Sequence, residues 1–343
     1  MIEIYGLDQA SMWDSIVKTF ANYDVYYLSG YVRAFELHGD GVPQLLLYES
    51  SKIRAIYVYM KRETSMAGLY DSITPYGYGG VLFDGMVSEE EKAKFWSAYI
   101  EKMKEECIVD NFVRYHPVLH NAECMRAISP VIDLGKTIAI DLSSPEVIWD
   151  NIVSKNRNMI RKAEKNGVEI KYGRGIELLR EFKDVYDATM RKDQAEEYYY
   201  FKEPFYTSID TDLQDNYELF WAEYEGEKIA MSIMLYANKR MSYHLSGSVL
   251  EYRSLAPSNL LLYKAALWGC ERGLETFHLG GGVGSGEDNL YKFKAAFNRN
   301  SDYQFSIGKQ IFDVEKYDEL VRKRESYDEN FDKGSSFFPL YRS

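Results

Sequence analysis

The sequence predicts a mixed α/β fold, with α and β elements interleaved and the arrangement given twice along the chain. Three observations predict it. Short tyrosine-rich runs alternate apolar and polar residues at period two, the mark of half-buried strands. Helix-length amphipathic segments separate them. The order helix, hairpin, helix, strand then recurs in the second half, with a third strand added after the hairpin.

The elements follow in order. Ile2 to Tyr5 is a short apolar strand, and Asp8 and Ser11 mark the start of a helix. Gln44 to Glu49 and Ile53 to Met60, joined by Ser50-Ser51-Lys52, form a β-hairpin. Asp71 to Gly80, rich in glycine with one proline, is expected as a loop. A helix runs from about Ser88 to Cys107, with Ser88 as cap and Glu91 completing a capping box. Asn111 to Tyr115 is a strand ending at His116-Pro117. Between the halves, Ile152, Met159, Ile160 and Ala163 line one face of a helix and cations the other. In the second half, Gly173 to Met190 and Glu203 to Leu213 are helices. Strands Tyr217 to Tyr224, Lys228 to Tyr236 and Arg240 to Gly247 follow, split by Glu225-Gly226-Glu227 and Ala237-Asn238-Lys239. A long helix from Pro257 to Arg272 ends at Gly273, a residue suited to the C-cap, with Ser254 or Ser258 expected to cap its start. Thr276 to Leu279 is the last strand of this set.

Composition narrows the function classes. An apolar share of 46% and a charged share of 27% belong to a globular chain. At roughly 150 residues per domain, 343 residues fit two domains better than one large core. No stretch approaches the ~20 apolar residues of a membrane span, and Met1-Ile2-Glu3 opens no signal peptide. Three cysteines, Cys107, Cys124 and Cys270, lack metal-ligand spacing and fit a reduced, cytoplasmic protein with sequestered thiols. A net charge of −12 disfavours a broad nucleic-acid surface. The cations are nonetheless concentrated: Lys155, Arg157, Arg161, Lys162, Lys165, Lys171 and Arg174 face only Glu164 and Glu169 over that stretch.

The segment Phe277 to Phe297 holds the most chemistry. A short apolar run empties into Gly280, Gly281, Gly282, Gly284 and Gly286, then resumes as a helix after Glu287 and Asp288 that carries Lys292 and Lys294. Glycines let a ligand approach the main chain, and a cation delivered to a strand end suits acyl or phosphate handling. The spacing is neither Gly-x-Gly-x-x-Gly nor a nucleoside-triphosphate loop, since Glu287 stands where that loop needs lysine. No Ser/His/Asp or Cys/His spacing indicates a covalent nucleophile, and no cluster of metal-ligating types suggests a catalytic metal.

Five segments carry a resemblance: Thr74-Pro-Tyr-Gly-Tyr-Gly-Gly80, Phe112-Val-Arg-Tyr-His-Pro117, Ser154-Lys-Asn-Arg-Asn-Met-Ile-Arg-Lys162, Tyr243-His-Leu-Ser-Gly247, and Leu279-Gly-Gly-Gly282 with Phe293-Lys-Ala-Ala-Phe297. Through them the second half looks like a GNAT-type acyltransferase, and nearly the whole chain resembles the Fem-type aminoacyl transferases. That family builds peptidoglycan side branches from aminoacyl-tRNA and carries two GNAT-like domains in tandem. The resemblance implies an N-terminal GNAT-like domain over 1–141, a basic connecting segment over 142–172 and a C-terminal GNAT-like domain over 173–343, each a mixed sheet flanked by helices.

It also implies roles. Lys294 matches the lysine placed beside the reacting ester; a solvated helix lysine is the alternative. Thr189 and Arg191 resemble contacts to the acceptor's diphosphate, and Arg33 is the first domain's candidate for phosphate binding. Tyr243 resembles a pocket tyrosine over the acceptor. His244 beside it is a candidate for proton handling, but on an alternating strand only one of the two can line a cleft. Lys155, Arg157, Arg161 and Lys162 are the candidates for holding the tRNA acceptor arm. His116 and His278 read as structural, and Asp71 as a weak candidate base. Ordinary acetyltransferases seat their donor pyrophosphate on a glycine turn before the long central helix. Here that position reads Tyr252 to Asn259, with Leu255 and amide-less Pro257.

The expected function is transfer of an amino acid from aminoacyl-tRNA onto an amine of a peptidoglycan precursor, with no cofactor and no metal. The alternative is an N-acyltransferase that uses acyl-coenzyme A or an acyl carrier protein on an amino sugar in cell-surface polysaccharide synthesis. A third reading is a non-catalytic binding module.

Overall fold

A computed structural model describes residues 1–343, which fall into two compact units. The first comprises Met1–Leu134 and Phe305–Ser343, the second Gly135–Gln304.

In the first unit, β1 (Ile2–Tyr5) leads through a single 3-10 turn to α1 (Ala10–Lys18) and α2 (Ser29–His38). The hairpin β2 (Val42–Glu49) and β3 (Ile53–Glu63) pairs residue for residue, from Val42 opposite Lys61 to Glu49 opposite Arg54. β4 (Tyr70–Ile73) and β5 (Leu82–Gly85) both pair with β3, antiparallel. α3 (Glu89–Glu105) then crosses over to β6 (Ile108–Arg114), which lies parallel to β4. α4 (Asn121–Met125) is a short turn of helix.

Ser88 caps α3 as its sequence indicates, its hydroxyl accepting from the Glu91 amide at 3.3 Å. The Glu91 carboxylate turns instead to Lys94 and Lys52, so the capping box is half made. β3 is buried from Ala55 through Met60, which fits a strand covered on both faces. Tyr57 and Tyr59 pack with Phe95, Tyr99 and Met103 of α3 on one of those faces.

β7 (Val131–Asp141) carries the chain into the second unit. There α5 (Pro145–Asn151) and α6 (Ser154–Lys165) precede β8 (Glu169–Gly173). α7 (Ile176–Lys192) and α8 (Glu203–Asp212) lead to the meander β9 (Tyr217–Tyr224), β10 (Glu227–Ala237) and β11 (Arg240–Ser248). α9 (Pro257–Glu271) crosses over to β12 (Thr276–Gly280), parallel to β11, and α10 (Asn289–Ala295) follows the glycine turn. The strand order is β7-β12-β11-β10-β9-β8. One core packs α6 and α9 on one face of this sheet, through Ile160, Ala163, Leu261 and Ala265 against Met234, Met241 and Phe277. β10 is buried without a break from Ile229 to Leu235, as a strand covered on both faces must be. β13 (Tyr303–Ile311) returns the chain to the first unit, pairing antiparallel with β6, and α11 (Val314–Tyr327) closes it.

The structure departs from the sequence reading in several places. Segment 142–172 is not a connector: Ile148, Ile152, Ile160 and Ala163 belong to the core of the second unit. Residues 305–343 return to the first unit rather than completing the second. Asp71 to Ile73 form strand, because β6 offers a parallel edge that sequence alone does not reveal. No serine caps α9; Ala256, at φ 58°, stands at the N-cap with Pro257 at the first turn. Cys107 and Cys124 are exposed, so only Cys270 is partly sequestered.

Candidate functional site

Each unit contains one pair of adjacent parallel strands joined by a crossover helix, and such a pair can splay at its C-terminal end. In the first unit the splay between β4 and β6 is stitched shut. The Thr74 amide donates to Phe112 O at 3.1 Å, the Arg114 amide to Thr74 Oγ1 at 3.0 Å, and the Gly79 amide to Arg114 O at 2.8 Å. The Arg114 guanidinium adds a bond to Gly77 O at 3.0 Å. The sequence Thr74 to Gly80 thus serves as a seam.

In the second unit the splay stays open. β11 and β12 pair only from Arg240 opposite Thr276 to Ser242 opposite His278. Beyond this point β11 carries a bulge: Tyr243 faces Met234 and Leu245 faces Ile233, leaving His244 as the extra residue. The bulge breaks the strict alternation expected at Tyr243 and His244, and both side chains are half-buried. Burial holds His244 near a pKa of about 3, so it stays neutral through the physiological range. The Tyr243 hydroxyl lies against Ser232 and Ser246, whose own hydroxyls bond at 2.9 Å. On the β12 side, Gly280 adopts φ 78°, a conformation natural to glycine, and the strand ends there.

The glycine turn is an ordered structure with an anion of its own. Asp288 caps α10, accepting from the Tyr291 amide at 2.8 Å, and also accepts from the Val283 amide at 3.4 Å. A side chain at Gly282 would collide with the Asp288 carboxylate and with Gly286 O. The carboxylate therefore fills the inside of the turn and takes two of its amides, one on each arm.

α10 brings Lys294 to the mouth of the open splay. Its side chain is only 8% exposed and makes no ion pair. Its ammonium donates to Gly281 O at 2.7 Å and lies 6.0 Å from the centre of the Tyr243 ring. Burial pushes its pKa down to about 8, against the opposing pull of Asp288. An ammonium has three donors, and the Gly281 carbonyl uses one. Two remain for an oxygen that gains negative charge in the splay. Phe293 and Phe297, packed edge to face at 5.5 Å, fix the helix on the core, while Val153 N and Asn156 Nδ2 both donate to Ala296 O.

The other candidates are dispersed. Thr189 is committed to structure: the Ser248 amide donates to its hydroxyl at 3.0 Å, and that hydroxyl donates to Val185 O. It fastens α7 to the end of β11, where Gly247 lets the helix backbone approach closely. Arg191, in the last turn of α7, is exposed and makes no ion pair. Arg33 lies on α2 of the first unit, half-buried and likewise unpaired.

Lys155, Arg157, Arg161 and Lys162 lie on α6 with no acidic partner, whereas Lys171 is paired with Glu223 and Arg174 with Glu218. Arg161 and Arg157 lie 5.0 and 5.9 Å over Trp149, which packs on Tyr263. This aromatic pair had no signal in sequence, because Trp149 and Tyr263 are distant in the chain.

One candidate base falls away, and two histidines take structural places. Asp71 is fully buried between Arg62, at 2.6 Å, and Arg342, and is no accessible base. The Tyr341 hydroxyl sits 3.1 Å from Asp71 and 2.6 Å from Asp110, tying the C-terminal turn to β4 and β6. His278 bonds Thr137 at 3.0 Å inside the core, and His116 lies buried 3.4 Å from Asp24. No helix is long and apolar enough to cross a membrane.

Comparison with known proteins agrees with this architecture. The model of the acetyltransferase (GNAT) domain matches residues 153–294, the stretch from the basic helix to Lys294. No curated sequence matches the chain. Among solved structures, FemX has a TM-score of 0.69 at 14% identity, covering 92% of this chain and 99% of that one. The C-terminal domain of a putative lysylphosphatidylglycerol synthetase from Agrobacterium fabrum has a TM-score of 0.57 at 16% identity, over 88% of this chain and 91% of that one. L-PGS from Bacillus licheniformis has a TM-score of 0.53 at 14% identity, over 90% and 93%. The chain therefore has a GNAT-type mixed α/β fold, similar to that of FemX.

Proposed function

We propose that the chain is an acyl-group transferase of the aminoacyl kind, moving an amino acid from aminoacyl-tRNA onto an amine of a peptidoglycan precursor. The observation that carries this reading is Lys294: a buried ammonium with a single hydrogen-bond partner, at the mouth of an open strand splay. The acceptor amine attacks the ester carbonyl, and negative charge develops on the carbonyl oxygen. Lys294 donates to that oxygen, a preorganised interaction worth about 3 kcal/mol of barrier. The intermediate then collapses, the C–O bond to the tRNA ribose breaks, and the amine's proton leaves with the freed hydroxyl. The transferred group arrives on its donor, so the reaction asks for no cofactor.

Two further observations favour aminoacyl-tRNA over coenzyme A as donor. The start of α9, where an acetyltransferase would cradle a pyrophosphate, presents Pro257 without an amide hydrogen behind Ala256 in a left-handed turn. The unpaired cations of α6, beside Trp149 and Tyr263, suit a phosphate backbone and the stacked bases at its end. In this reading Arg33 and Arg191 are phosphate-binding candidates for the acceptor, Tyr243 lines the pocket, and the work is cytoplasmic, where charged tRNA is found.

The test is transfer from a panel of aminoacyl-tRNAs onto nucleotide-linked peptidoglycan precursors, with Lys294→Met alongside. The expected result is transfer with at least one charged tRNA and a loss on the order of a hundredfold or more in the variant, without loss of fold. Saturable coenzyme A binding with no response to tRNA would overturn the choice of donor. Full activity in Lys294→Met would overturn the role of the lysine.

A further inference from the structure

α6 presents its cations outward and buries Asn156, Ile160 and Ala163 on its inner face. Asn156 is the polar one of the three, 3% exposed, with Lys155 and Arg157 on either side of it in the chain. Its side chain has one partner on each of two other helices. The Oδ1 atom accepts from Asn259 Nδ2, in the first turn of α9, at 2.7 Å. The Nδ2 atom donates to Ala296 O, at the C-cap of α10, at 3.2 Å. A buried amide bonded at both ends keeps one orientation, so α6, α9 and α10 share a fixed point.

α10 needs such a hold. It spans seven residues, too few to be stable as an isolated helix in water, and carries Lys294 in its last turn. The chain just beyond it is fastened too: Asn298 Nδ2 donates to Ala139 O on β7, and Arg299 Nη2 to Asp150 O on α5, both at 2.7 Å. Those bonds fix the exit of α10 to the sheet and to α5. The bond through Asn156, with the Val153 amide beside it at 3.1 Å, instead ties the helix end to α6. The next residue of α6, Arg157, lies over the Trp149 ring. The cationic surface and the seat of Lys294 are thus built on the same turn of one helix.

We propose that Asn156 is a positioning residue: its amide sets α10 against α6, so that Lys294 stands at a fixed distance from a donor held on the outer face of α6. The consequence for transfer rests on the roles proposed above for α6 and Lys294. The hold on Lys294 does not, and it is measured separately.

Asn156→Leu keeps the bulk of the side chain and removes both of its bonds. Its crystal structure and its transfer kinetics are the two readouts. In the crystal structure the end of α10 is expected to move away from α6, taking the Lys294 ammonium out of hydrogen-bonding distance of Gly281 O, which it meets at 2.7 Å in the native chain. In the kinetics kcat is expected to fall on the order of tenfold or more, while KM for charged tRNA stays within about twofold, as for a displaced catalytic group. Asn259→Ala is the milder variant, and it carries the test if Asn156→Leu does not fold. It leaves the bond to Ala296 O possible but frees the Asn156 amide to turn, and a smaller loss of the same kind is expected. Lys294 unmoved in the variant that folds overturns the inference. So does a raised KM with kcat unchanged, which would assign Asn156 to donor binding alone. A displaced Lys294 with native kcat and KM leaves the hold of Asn156 intact and overturns the catalytic reading of Lys294 instead.

Discussion

Asp110 gives the chain a pH dependence of stability opposite in sign to that of an ordinary paired carboxylate. It is fully buried, and one of its oxygens, Oδ1, has no hydrogen-bond partner. Burial raises its pKa from 3.8 to about 7; the Tyr341 hydroxyl opposes that rise, the Asp71 carboxylate adds to it, and Arg62 and Arg342 offset part of it. The folded state therefore keeps the proton between pH 3.8 and 7 while the unfolded chain has released it. Stability falls as pH rises through that window, by about 1.4 kcal/mol per unit for one group. Across the whole window the loss is at most about 4 kcal/mol, a large share of the ~5–15 kcal/mol that holds a typical domain. Asp110→Asn mimics the protonated acid and has nothing to release. Urea denaturation at pH 5, 6, 7 and 8 is the assay, with the difference between wild type and variant as the readout. The difference should be smallest at pH 5 and should grow in the variant's favour by about 3 kcal/mol as the pH rises to 8. Parallel curves, or a variant weaker at every pH, would refute the account of a protonated Asp110.

Two other outcomes are expected. Arg161→Glu with Lys162→Glu should weaken capture of charged tRNA and flatten the slope of log affinity against log salt, because fewer counterions are released; an unchanged slope, measured by filter binding, would free α6 of that role. Gly282→Ala should force the glycine turn open against Gly286 O and Asp288, costing ~1–3 kcal/mol as overpacking does and lowering transfer, which thermal unfolding and rate measurements read together.

The regular elements were legible because their signals are local. Ser88 before an acidic first turn, the alternating hairpin over 44–60 and the glycine after α9 each place an element to within three residues. What stayed hidden depends on distant partners. Strand β4 exists because β6 lies beside it, and β8 is a short, largely exposed edge strand held by β9. The return of 305–343 to the first unit is a matter of topology that no window of sequence contains. At the site, Lys294 was visible through its glycine approach and its flanking Phe293 and Phe297. The order within the glycine turn is not legible because its anion is internal: Asp288 marks a helix start in sequence, but its reach back to Val283 exists only in the folded turn. The alternation expected at Tyr243 and His244 fails because a bulge leaves no mark on residue order.

The seam across β4 and β6 has a meaning beyond the first unit. Thr74, Gly79 and Arg114 use their hydrogen-bonding capacity on one another, so that copy of the fold is saturated. Its counterpart between β11 and β12 stops pairing after Ser242 and His278, and so keeps an open valency. A protein that builds one plan twice can satisfy the first internally and leave the second incomplete. Under the proposed function, that incomplete copy is the one that receives the substrate.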